Sequence, residues 1–274
     1  MTFNPIDIAD ADDPRIAAFR SIRERDMTGR EGRFIAEGTV VLRMLAAAHA
    51  QARGFHAEAI LILRSRLAGV AEILACFPSD VPVYVAEPAV FNAIAGFDMH
   101  RGVLAIGRRA EAPGLKDLLA TAPPLVLAAC GLSNHDNMGA LFRNAAAFGA
   151  GAVVMDRTAC DPTYRKSIRV SVGAVLTVPF AREGSIETVI GALIAEGYAL
   201  WGLSPRGRVA LDAIPPAPRT ALLVGTEGEG LPDAIMAAID TARIAQAPGL
   251  DSLNVATAAA IALHRIATVN GLVG

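Results

Sequence analysis

Short apolar runs separated by segments of helical length recur through the second half of the chain, and this pattern constrains the fold more than any other feature. The runs lie at residues 125–129, 152–155, 175–178, 198–201 and 221–224. Continuous apolar runs of this length are typical of strands that are buried on both faces of a parallel sheet. The alternation therefore predicts an α/β fold in which helices cover both faces of a doubly wound sheet.

A similar alternation in the first hundred residues indicates a smaller, separate α/β domain. Strands are predicted at residues 34–36, 59–63, 81–85 and 102–106, and helices at residues 38–50, 67–76 and 88–95. Proline and glycine residues at 113–114 and 121–124 then punctuate the sequence. We therefore predict an N-terminal domain over residues 1–109, a linker over 110–123 and a second domain over 124–274.

Composition narrows the class of protein. Hydrophobic residues make up 53% of the 274 residues, which is enough apolar material to exclude an intrinsically disordered chain. No run of about 18 uncharged apolar residues is present to cross a membrane. Acidic residues such as Asp7 and Asp10 stand where a secretory signal would be basic and then apolar. We expect a cytoplasmic protein without a membrane anchor.

The cysteines and the net charge exclude two simple explanations of function. Cys76, Cys130 and Cys160 form no Cys-x-x-Cys pair, so neither a disulfide framework nor a metal site is expected. The net charge is −2 at pH 7, and the chain as a whole therefore does not attract nucleic acid. Any contact with RNA has to come from local basic patches.

The first polar motif follows the run at residues 125–129, at the edge of the predicted sheet where α/β proteins bind ligands. In a helix that starts near Asn137, the side chains of Asn137 and Asn144 share one face and Arg143 lies beside it. A capping role would explain Asn137. An arginine in an alanine-rich packing helix has to be paired or exposed to a polyanion, because burying an unpaired charge costs too much free energy.

A glycine-rich turn follows the last predicted strand at residues 225–231. Glycines such as Gly225 and Gly230 allow the backbone to approach a ligand closely. Glu227 and Glu229 in the same turn would repel the phosphate that such loops normally hold. The turn therefore favours a cationic or polar neutral ligand.

The third motif, at residues 244–255, leads into an alanine-rich helix. Ser252 is a plausible N-cap for this helix, because its hydroxyl can accept a hydrogen bond from the first turn. Asn254 would then lie inside the first turn, where asparagine has no advantage in helix propensity. Asn254 is therefore a candidate for a functional role.

Together the three motifs resemble the signatures of the SpoU/TrmH branch of the SPOUT methyltransferases. They are Asn137-x-Gly139-Ala140-x-x-Arg143, Gly225-x-Glu227-Gly228-x-Gly230-Leu231 and Ser252-Leu253-Asn254-Val255. The resemblance implies a SPOUT-type α/β-knot, with a deep trefoil knot and a mostly parallel sheet. It also implies an enzyme that uses S-adenosyl-L-methionine to methylate a ribose 2′-hydroxyl in structured RNA, and a homodimer.

The resemblance assigns roles to individual residues. Asn137 would support Arg143, which engages the target nucleotide, Glu227 would organise its loop, and Ser252 and Asn254 would complete the catalytic site. The residues expected to bind the methyl donor are Leu223, Val224, Gly225, Thr226, Glu227, Gly230, Ile244, Ala245, Gln246, Ser252 and Leu253. The sequence departs from the family pattern before the third motif, where Ile244-Ala245-Gln246 replaces the usual Ile-Pro-Met.

The first domain carries a resemblance of its own. Phe34-Ile35-Ala36-Glu37-Gly38 and His100-Arg101-Gly102-Val103-Leu104-Ala105 are similar to the substrate-binding domain that precedes the catalytic domain in many ribosomal-RNA members. This implies ribosomal RNA as the substrate, with a tRNA 2′-O-methyltransferase as an alternative. A noncatalytic RNA-binding or ribosome-assembly factor would keep the fold without a donor pocket. A nicotinamide-dependent oxidoreductase is disfavoured, because no Gly-x-Gly-x-x-Gly sequence opens the first helix of the second domain.

Basic residues outside the motifs are candidates for contact with the RNA backbone. Arg165, Lys166 and Arg169 stand close together in one segment, and Arg30 and Arg33 lie in an arginine-rich segment near the N-terminus. A solvated helix face explains either set equally well. With Arg143, these residues form the predicted RNA-binding set.

Overall fold

The chain folds into two compact units of helices and strands. The computed structural model describes residues 3–20, 32–51, 53–95, 102–110, 113–249 and 251–274. The first unit comprises Met1–Glu111 and Thr163–Thr177, and the second comprises Ala112–Pro162 and Val178–Gly274. In chain order the elements are β1 (Pro5–Ile8), α1 (Ala17–Arg20), β2 (Arg33–Glu37), α2 (Thr39–Ala50), β3 (Phe55–Leu63), α3 (Leu67–Leu74), β4 (Val83–Ala86), α4 (Pro88–Ala95), β5 (Val103–Arg109), α5 (Leu115–Ala120), β6 (Leu125–Ala129), α6 (His135–Ala147), β7 (Ala152–Met155), α7 (Arg165–Val170), β8 (Phe180–Arg182), α8 (Ile186–Ala195), β9 (Ala199–Leu203), β10 (Val209–Ala210), β11 (Thr220–Val224), α9 (Asp233–Ala238), β12 (Asp240–Arg243) and α10 (Val255–Val269). None of the described helices is long and apolar enough to cross a membrane.

The first unit is built on a mixed sheet. Within the described residues its strand order is β1-β4-β3-β5-β2. Strand β4 pairs in parallel with β1 and β3, and β5 pairs antiparallel with β3 and β2. Because β3 is the central strand, Ile60, Leu61 and Ile62 are buried whichever face they point to.

Residues 163–177 belong to the first unit, whereas the sequence-based division placed them in the second domain. Arg165 of α7 forms an ion pair with Glu37 of β2, with 2.9 Å between Arg165 Nη2 and Glu37 Oε2. Gly173 lies so close to Met44 that an added Cβ would be 2.8 Å from the Met44 Cβ. Contacts between residues far apart in sequence therefore decide where this segment packs. A division into domains with separate functions stays a prediction.

The second unit contains a parallel sheet covered by helices on both faces. Within the described residues the strand order is β10-β12-β9-β11-β6-β7-β8, and the paired strands run parallel. On one face, alternate residues such as Val126 and Leu223 pack in a core with residues of α5 and α8. Helix α10 packs on β11 and against α6. The predicted α/β fold with a mostly parallel sheet is confirmed, and the threading of the trefoil knot stays a prediction.

The sequence located four of the seven described strands of this sheet, placed a fifth wrongly and did not predict β10 and β12. The predicted strands at Leu125–Ala129 and Ala152–Met155 have these bounds in the structure. The strand predicted at residues 175–178 is wrong, because Ala174–Leu176 forms a short 3-10 helix and β8 begins only at Phe180. A short apolar run shows that a segment is buried and does not distinguish a strand from another buried conformation.

Strands β6 and β11 lie side by side at the centre of this sheet. From β6 the chain proceeds to β7 on one side of this pair, and from β11 it proceeds to β12 on the other side. Such a change of direction opens a crevice outside the carboxyl ends of the strands, where α/β proteins bind ligands. The residues that follow Ala129 and Val224 therefore meet at the edge of the sheet where a ligand site is expected.

Candidate functional site

The first motif lies on α6, which is capped by Asn134. Asn134 Oδ1 accepts hydrogen bonds from the backbone N–H groups of Asp136, at 2.8 Å, and Asn137, at 3.4 Å. Asn137 is therefore not the cap, because the helix begins two residues before it, at His135. Asn137 is only 8% exposed. Because its side chain does not cap α6, it is available for bonds outside its own helix.

The Asn137 carboxamide joins the three motifs. Its Nδ2 donates to Glu227 Oε1 at 2.8 Å, and its Oδ1 accepts a hydrogen bond from Asn254 Nδ2 at 2.9 Å. Glu227 follows β11 and Asn254 directly precedes α10. Three segments that are distant in sequence are thus connected by the chain Glu227, Asn137 and Asn254, which we call the Asn137 network.

The direction of the Asn137 network is fixed at both ends. An ionised Glu227 can only accept hydrogen bonds, so the NH2 group of Asn137 has to face it. At the other end, Asn254 Oδ1 accepts from the backbone N–H groups of Ala256 and Thr257, so its own NH2 group has to face Asn137. The two amides therefore have one consistent orientation each.

Asn254 is the N-cap of α10, and the prediction that Ser252 fills this position is wrong. The helix begins at Val255, and the bonds from Ala256 and Thr257 to Asn254 Oδ1 measure 2.9 and 3.2 Å. Ser252 is exposed and makes no hydrogen bond to the described residues. Asparagine and serine cap helices about equally well, so the sequence alone did not separate them.

Arg143 lies beside the face of α6 that carries the network. Asn144, seven residues after Asn137, donates from Nδ2 to Ala256 O at 2.8 Å, which confirms that the two asparagines share a face. Arg143 is exposed. It makes no hydrogen bond or ion pair with any residue that the structure describes. The sequence left two possibilities open for Arg143, a paired arginine or one exposed to a polyanion. The described residues do not provide the pairing.

The glycine-rich turn after β11 closes on itself through its backbone. Thr226 and Gly230 exchange two backbone hydrogen bonds of 3.2 Å each. A Cβ added to Gly225 would lie only 2.1 Å from the Gly230 carbonyl carbon, whereas one added to Gly228 would meet nothing within 4 Å. The close approach that requires glycine at position 225 is therefore one within the turn itself, not the approach to a ligand that we expected from the sequence.

The predicted donor-binding residues occupy two kinds of position. Leu223 and Val224 have side chains that are almost fully buried within β11, so that only their backbone is available to a ligand. Ile244 and Leu253 are half-buried and Ala245 is exposed. These residues flank the carboxyl ends of β11 and β12, as a shared ligand site requires.

Asp156 is a structural residue of this edge that the sequence analysis missed. It follows β7, is 3% exposed, and accepts from the backbone N–H of Gly131 at 2.8 Å. Its other oxygen accepts from the backbone N–H groups of Thr158 and Ala159. It thereby fixes the loop after β6 to the loop after β7. The signal in the sequence was that Asp156 directly follows an apolar strand and stands two residues before a threonine. This pattern is typical of turns that an aspartate side chain caps.

Two thiols near this edge are held in the neutral form. Burial raises the pKa of Cys130 to about 11, with a smaller contribution from the Asp156 carboxylate. Burial also raises the pKa of Cys160 to about 11, with Asp161 as the next cause. The described residues contain no cluster of histidine, cysteine, aspartate and glutamate side chains suited to a metal ion.

Comparison with known proteins identifies the family. Residues 124–264 match the SpoU rRNA Methylase family. The chain belongs to this family. The resemblance that the three motifs carry is therefore confirmed, and the Asn137 network and Arg143 all lie within the matched region.

Relatives of this SpoU family member cover both of its units. A protein of Mycobacterium bovis named "Uncharacterized tRNA/rRNA methyltransferase Mb0905" is 37% identical over 270 residues, which cover 94% of this chain and 90% of the relative. The AdoMet-bound rRNA methyltransferase of Sinorhizobium meliloti has the same fold, with a TM-score of 0.80, 23% identity and coverage of 98% of this chain and 99% of that one. A solved RNA 2′-O ribose methyltransferase is 25% identical, with a TM-score of 0.75 and coverage of 98% and 100%.

The predicted RNA-binding residues of this SpoU protein differ in their availability. Arg165 is paired with Glu37 and its side chain is 16% exposed, and Arg33 is paired with Glu58. Lys166 and Arg169 are exposed, and Arg169 makes no hydrogen bond or ion pair with the described residues. Arg30 lies outside the described residues. Within α7, Lys166 and Arg169 are thus the cations that are open to solvent.

Proposed function

We propose that this SpoU family methyltransferase transfers a methyl group from S-adenosylmethionine to a ribose 2′-hydroxyl of structured RNA, and that the substrate is ribosomal RNA. The observation that carries the proposal is the Asn137 network, which holds the three motif segments together while Arg143, on the same helix, is exposed and makes no hydrogen bond or ion pair with the part of the chain that the structure describes. An isolated, exposed guanidinium beside a fixed polar network is suited to bind a phosphate group of the substrate.

The segments that follow β11 and β12 fit the methyl donor. S-adenosylmethionine supplies an electrophilic methyl group on a sulfonium cation. Glu227 and Glu229 place negative charge in the turn after β11, which favours a cationic ligand. In the segment after β12, Gln246 Oε1 is a buried acceptor without a partner among the described residues, so a donor group of a ligand fits there.

Arg143 is proposed to act on the RNA and not on the methyl donor. A guanidinium practically never loses its proton in proteins, so Arg143 does not serve as the base for the 2′-hydroxyl. It would instead bind the phosphate next to the target ribose and stabilise the negative charge on the 2′-oxygen. That oxygen would form a bond to the methyl carbon as the bond from this carbon to sulfur breaks, and the hydroxyl proton would leave to solvent water. A hydrogen-bond donor placed in this way lowers the activation free energy of methyl transfer by about 3 kcal/mol.

The Arg143→Ala variant tests this assignment. We expect it to lose nearly all methyl transfer from radiolabelled S-adenosylmethionine to ribosomal RNA, because the phosphate contact is lost. Its affinity for S-adenosylmethionine, measured by titration calorimetry, is expected to stay close to that of the wild type. Normal turnover in the variant would refute the proposal.

A control comes from Arg219, which directly precedes β11 and therefore lies at the end of the sheet opposite the site, where it donates a hydrogen bond to Glu196 O at 2.8 Å. The Arg219→Ala variant removes the same charge and is expected to keep wild-type turnover.

The same calorimetry distinguishes the proposed enzyme from a noncatalytic RNA-binding factor. Absence of heat with S-adenosylmethionine, together with no rise in the unfolding temperature, would favour that alternative.

The RNA class, the location and the assembly state complete the proposal. The relatives that support it are named tRNA/rRNA and rRNA methyltransferases, and the first unit is proposed to bind the RNA substrate. Mapping of 2′-O-methyl groups in RNA from a deletion strain tests the class, because loss of one ribosomal site is expected and loss of a tRNA site would overturn it. We further propose a cytoplasmic homodimer, which light scattering of the purified protein checks.

A further inference from the structure

His49 occupies a position where a backbone N–H group fixes its imidazole ring. It is the penultimate residue of α2, and its Nδ1 accepts a hydrogen bond of 3.0 Å from the backbone N–H of Ala57 in β3. A backbone N–H can only donate, so a flipped ring would place a C–H group against this donor. Nδ1 is therefore unprotonated, and the neutral ring carries its proton on Nε2.

The bond between Ala57 and His49 lies at an irregularity of β3. The pairing of β3 with β5 shifts register between Ala57 and Ala59, so Glu58 is the extra residue of a β-bulge, which we call the β3 bulge. On the other side of β3, the described pairing with β4 begins only at Ile60. A strand that lacks ladder partners needs other acceptors for its backbone N–H groups, and His49 supplies one.

The β3 bulge in turn positions two cations of the first unit. The Glu58 carboxylate accepts hydrogen bonds from Arg33 Nε of β2, at 2.7 Å, and from Arg108 Nε of β5. Arg33 and Arg108 are directly paired residues of neighbouring strands, and like charges opposite each other destabilise a sheet. The Glu58 carboxylate offsets this repulsion. The bond from Ala57 to His49 thus supports a bulge on which the charge balance of three strands depends.

Protonation of His49 is incompatible with this arrangement. The added proton would occupy Nδ1 and point at the Ala57 N–H, so that two donors would face each other. Burial lowers the pKa of His49, and the neighbouring His56 of β3 lowers it further, whereas Asp80, which precedes β4, raises it. The rings of His56 and of the buried Phe77 stand nearly perpendicular to the His49 ring, with centroids 5.4 and 6.2 Å away. The surroundings therefore favour the neutral ring.

We infer that His49 is a pH-sensitive anchor of the β3 bulge, which holds the Ala57 N–H while its ring is neutral and releases this end of β3 when the ring is protonated. The anchor lies in the first unit and does not depend on the proposed methyl transfer. Because the folded state favours the neutral ring, the stability that this contact confers is complete above the ordinary histidine pKa of 6.5. It is lost as the pH falls from there through the lowered pKa of His49.

Hydrogen exchange between pH 7 and pH 5, corrected for the intrinsic pH dependence of exchange, tests the anchor. In the wild type, the protection of a peptide that includes Ala57 is expected to fall by about threefold or more over this range, relative to a peptide of β4. The matched variant is His49→Asn, whose side-chain oxygen can replace the Nδ1 acceptor and takes up no proton in this range. Its protection is expected to be the same at both pH values.

The His56→Gln variant is the control for the neighbouring histidine. It keeps the anchor and removes a group that becomes positively charged, so the fall in protection is expected to persist and to start at a higher pH. Equal pH dependence in the wild type and in His49→Asn would overturn the inference. A pH dependence that disappears in His56→Gln would overturn it as well, because His56 would then be the responsible group.

Nuclear magnetic resonance of the wild type gives a measurement that needs no variant. With isotope-labelled histidine, the His49 ring is expected to carry its proton on Nε2 at pH 7.5 and to titrate with a midpoint below the ordinary value of 6.5. The amide resonance of Ala57 is expected to shift with the same midpoint. A proton on Nδ1 at pH 7.5, or an Ala57 amide that does not respond when His49 titrates, would also overturn the inference.

Discussion

Asn254 caps α10 through its Oδ1 and, through its Nδ2, donates a hydrogen bond to Asn137. The capping bonds fix the direction in which the NH2 group points, so the start of the last helix determines where Asn137 is held. Asn144 adds a second connection, because it bonds to Ala256 O in the first turn of α10. Asn254, whose usual role would be only to cap the N-terminus of α10, thus also positions Asn137, the central side chain of the site.

Replacing Asn254 by aspartate is expected to separate these two roles. Aspartate caps helices as well as asparagine does, so the unfolding temperature of Asn254→Asp should stay close to that of the wild type. Its carboxylate has no N–H to donate to Asn137 Oδ1, and two acceptors would face each other. We expect methyl transfer to fall by about tenfold, which corresponds to the loss of one hydrogen bond. Turnover and thermal unfolding measured on the same preparation check this.

The Asn254→Ala variant is the companion to this experiment. It removes both the cap and the donor, so it should show the same loss of turnover and, in addition, a free energy of unfolding lower by about 1 kcal/mol. Wild-type turnover in the aspartate variant would show that the bond to Asn137 has no role in the site.

The sequence predicted the strands β6, β7, β9 and β11 of the second unit because their patterns are local. The strands at Leu125–Ala129 and Ala152–Met155 are continuous apolar runs bounded by turn residues, and such runs identify themselves without knowledge of the rest of the chain. The placement of residues 163–177 was beyond this reasoning. It depends on the ion pair between Arg165 and Glu37, whose partners are 128 residues apart in sequence.

The candidate site was predictable in its membership and not in its connections. Asn254 was singled out because asparagine has no advantage inside the first turn of a helix, whereas Asn137 and Glu227 were singled out because they belong to motifs that resemble the SpoU/TrmH signatures. Which asparagine caps its helix and which one bonds across the site depends on a shift of one to three residues. Local propensity does not resolve shifts of this size, because asparagine, aspartate and serine are all good caps.

Arg169 and Arg165 lie on the same short helix, and their replacement by alanine is expected to change different properties, RNA binding for Arg169 and stability for Arg165. Arg169 is exposed, so Arg169→Ala should leave the unfolding temperature unchanged. It should weaken RNA binding and reduce the salt slope of the affinity by about 1, as expected for one lost phosphate contact. Arg165→Ala should instead lower the free energy of unfolding by about 3–5 kcal/mol, because Glu37 would remain buried without its partner.

Filter-binding titrations over a range of salt concentrations, with chemical denaturation of each variant, measure both effects. An unchanged salt slope in Arg169→Ala would remove Arg169 from the proposed RNA contact. An Arg165→Ala protein as stable as the wild type would mean that the buried ion pair does not hold residues 163–177 in place.

Gly225 and Gly228 form a matched pair within one turn. In Gly225→Ala the new Cβ would lie 2.1 Å from the Gly230 carbonyl carbon, so the turn has to open. We expect the free energy of unfolding to fall by about 1–3 kcal/mol and the affinity for S-adenosylmethionine to fall by about tenfold or more. Gly228→Ala meets nothing within 4 Å and should resemble the wild type in both respects. Equal affinities in the two variants would show that the shape of this turn does not matter for the donor.

The raised pKa values of Cys130 and Cys160 predict that alkylation leaves the site intact near neutral pH. With a pKa of about 11 for each thiol, only about one molecule in a thousand carries the thiolate at pH 8, and the thiolate is the reactive form. Cys76 is exposed, so iodoacetamide at pH 8 should modify it first, and methyl transfer should persist. Alkylation of the other two should accelerate about tenfold for each pH unit between 8 and 10, because the thiolate fraction rises in that proportion.

The stability that the neutral thiols confer is complete below their ordinary pKa of 9.0 and is lost as the pH rises from there through 11. Peptide mass spectrometry of Cys76→Ser protein measures the rates, and rapid modification of Cys130 at pH 8 would contradict its burial beside Asp156.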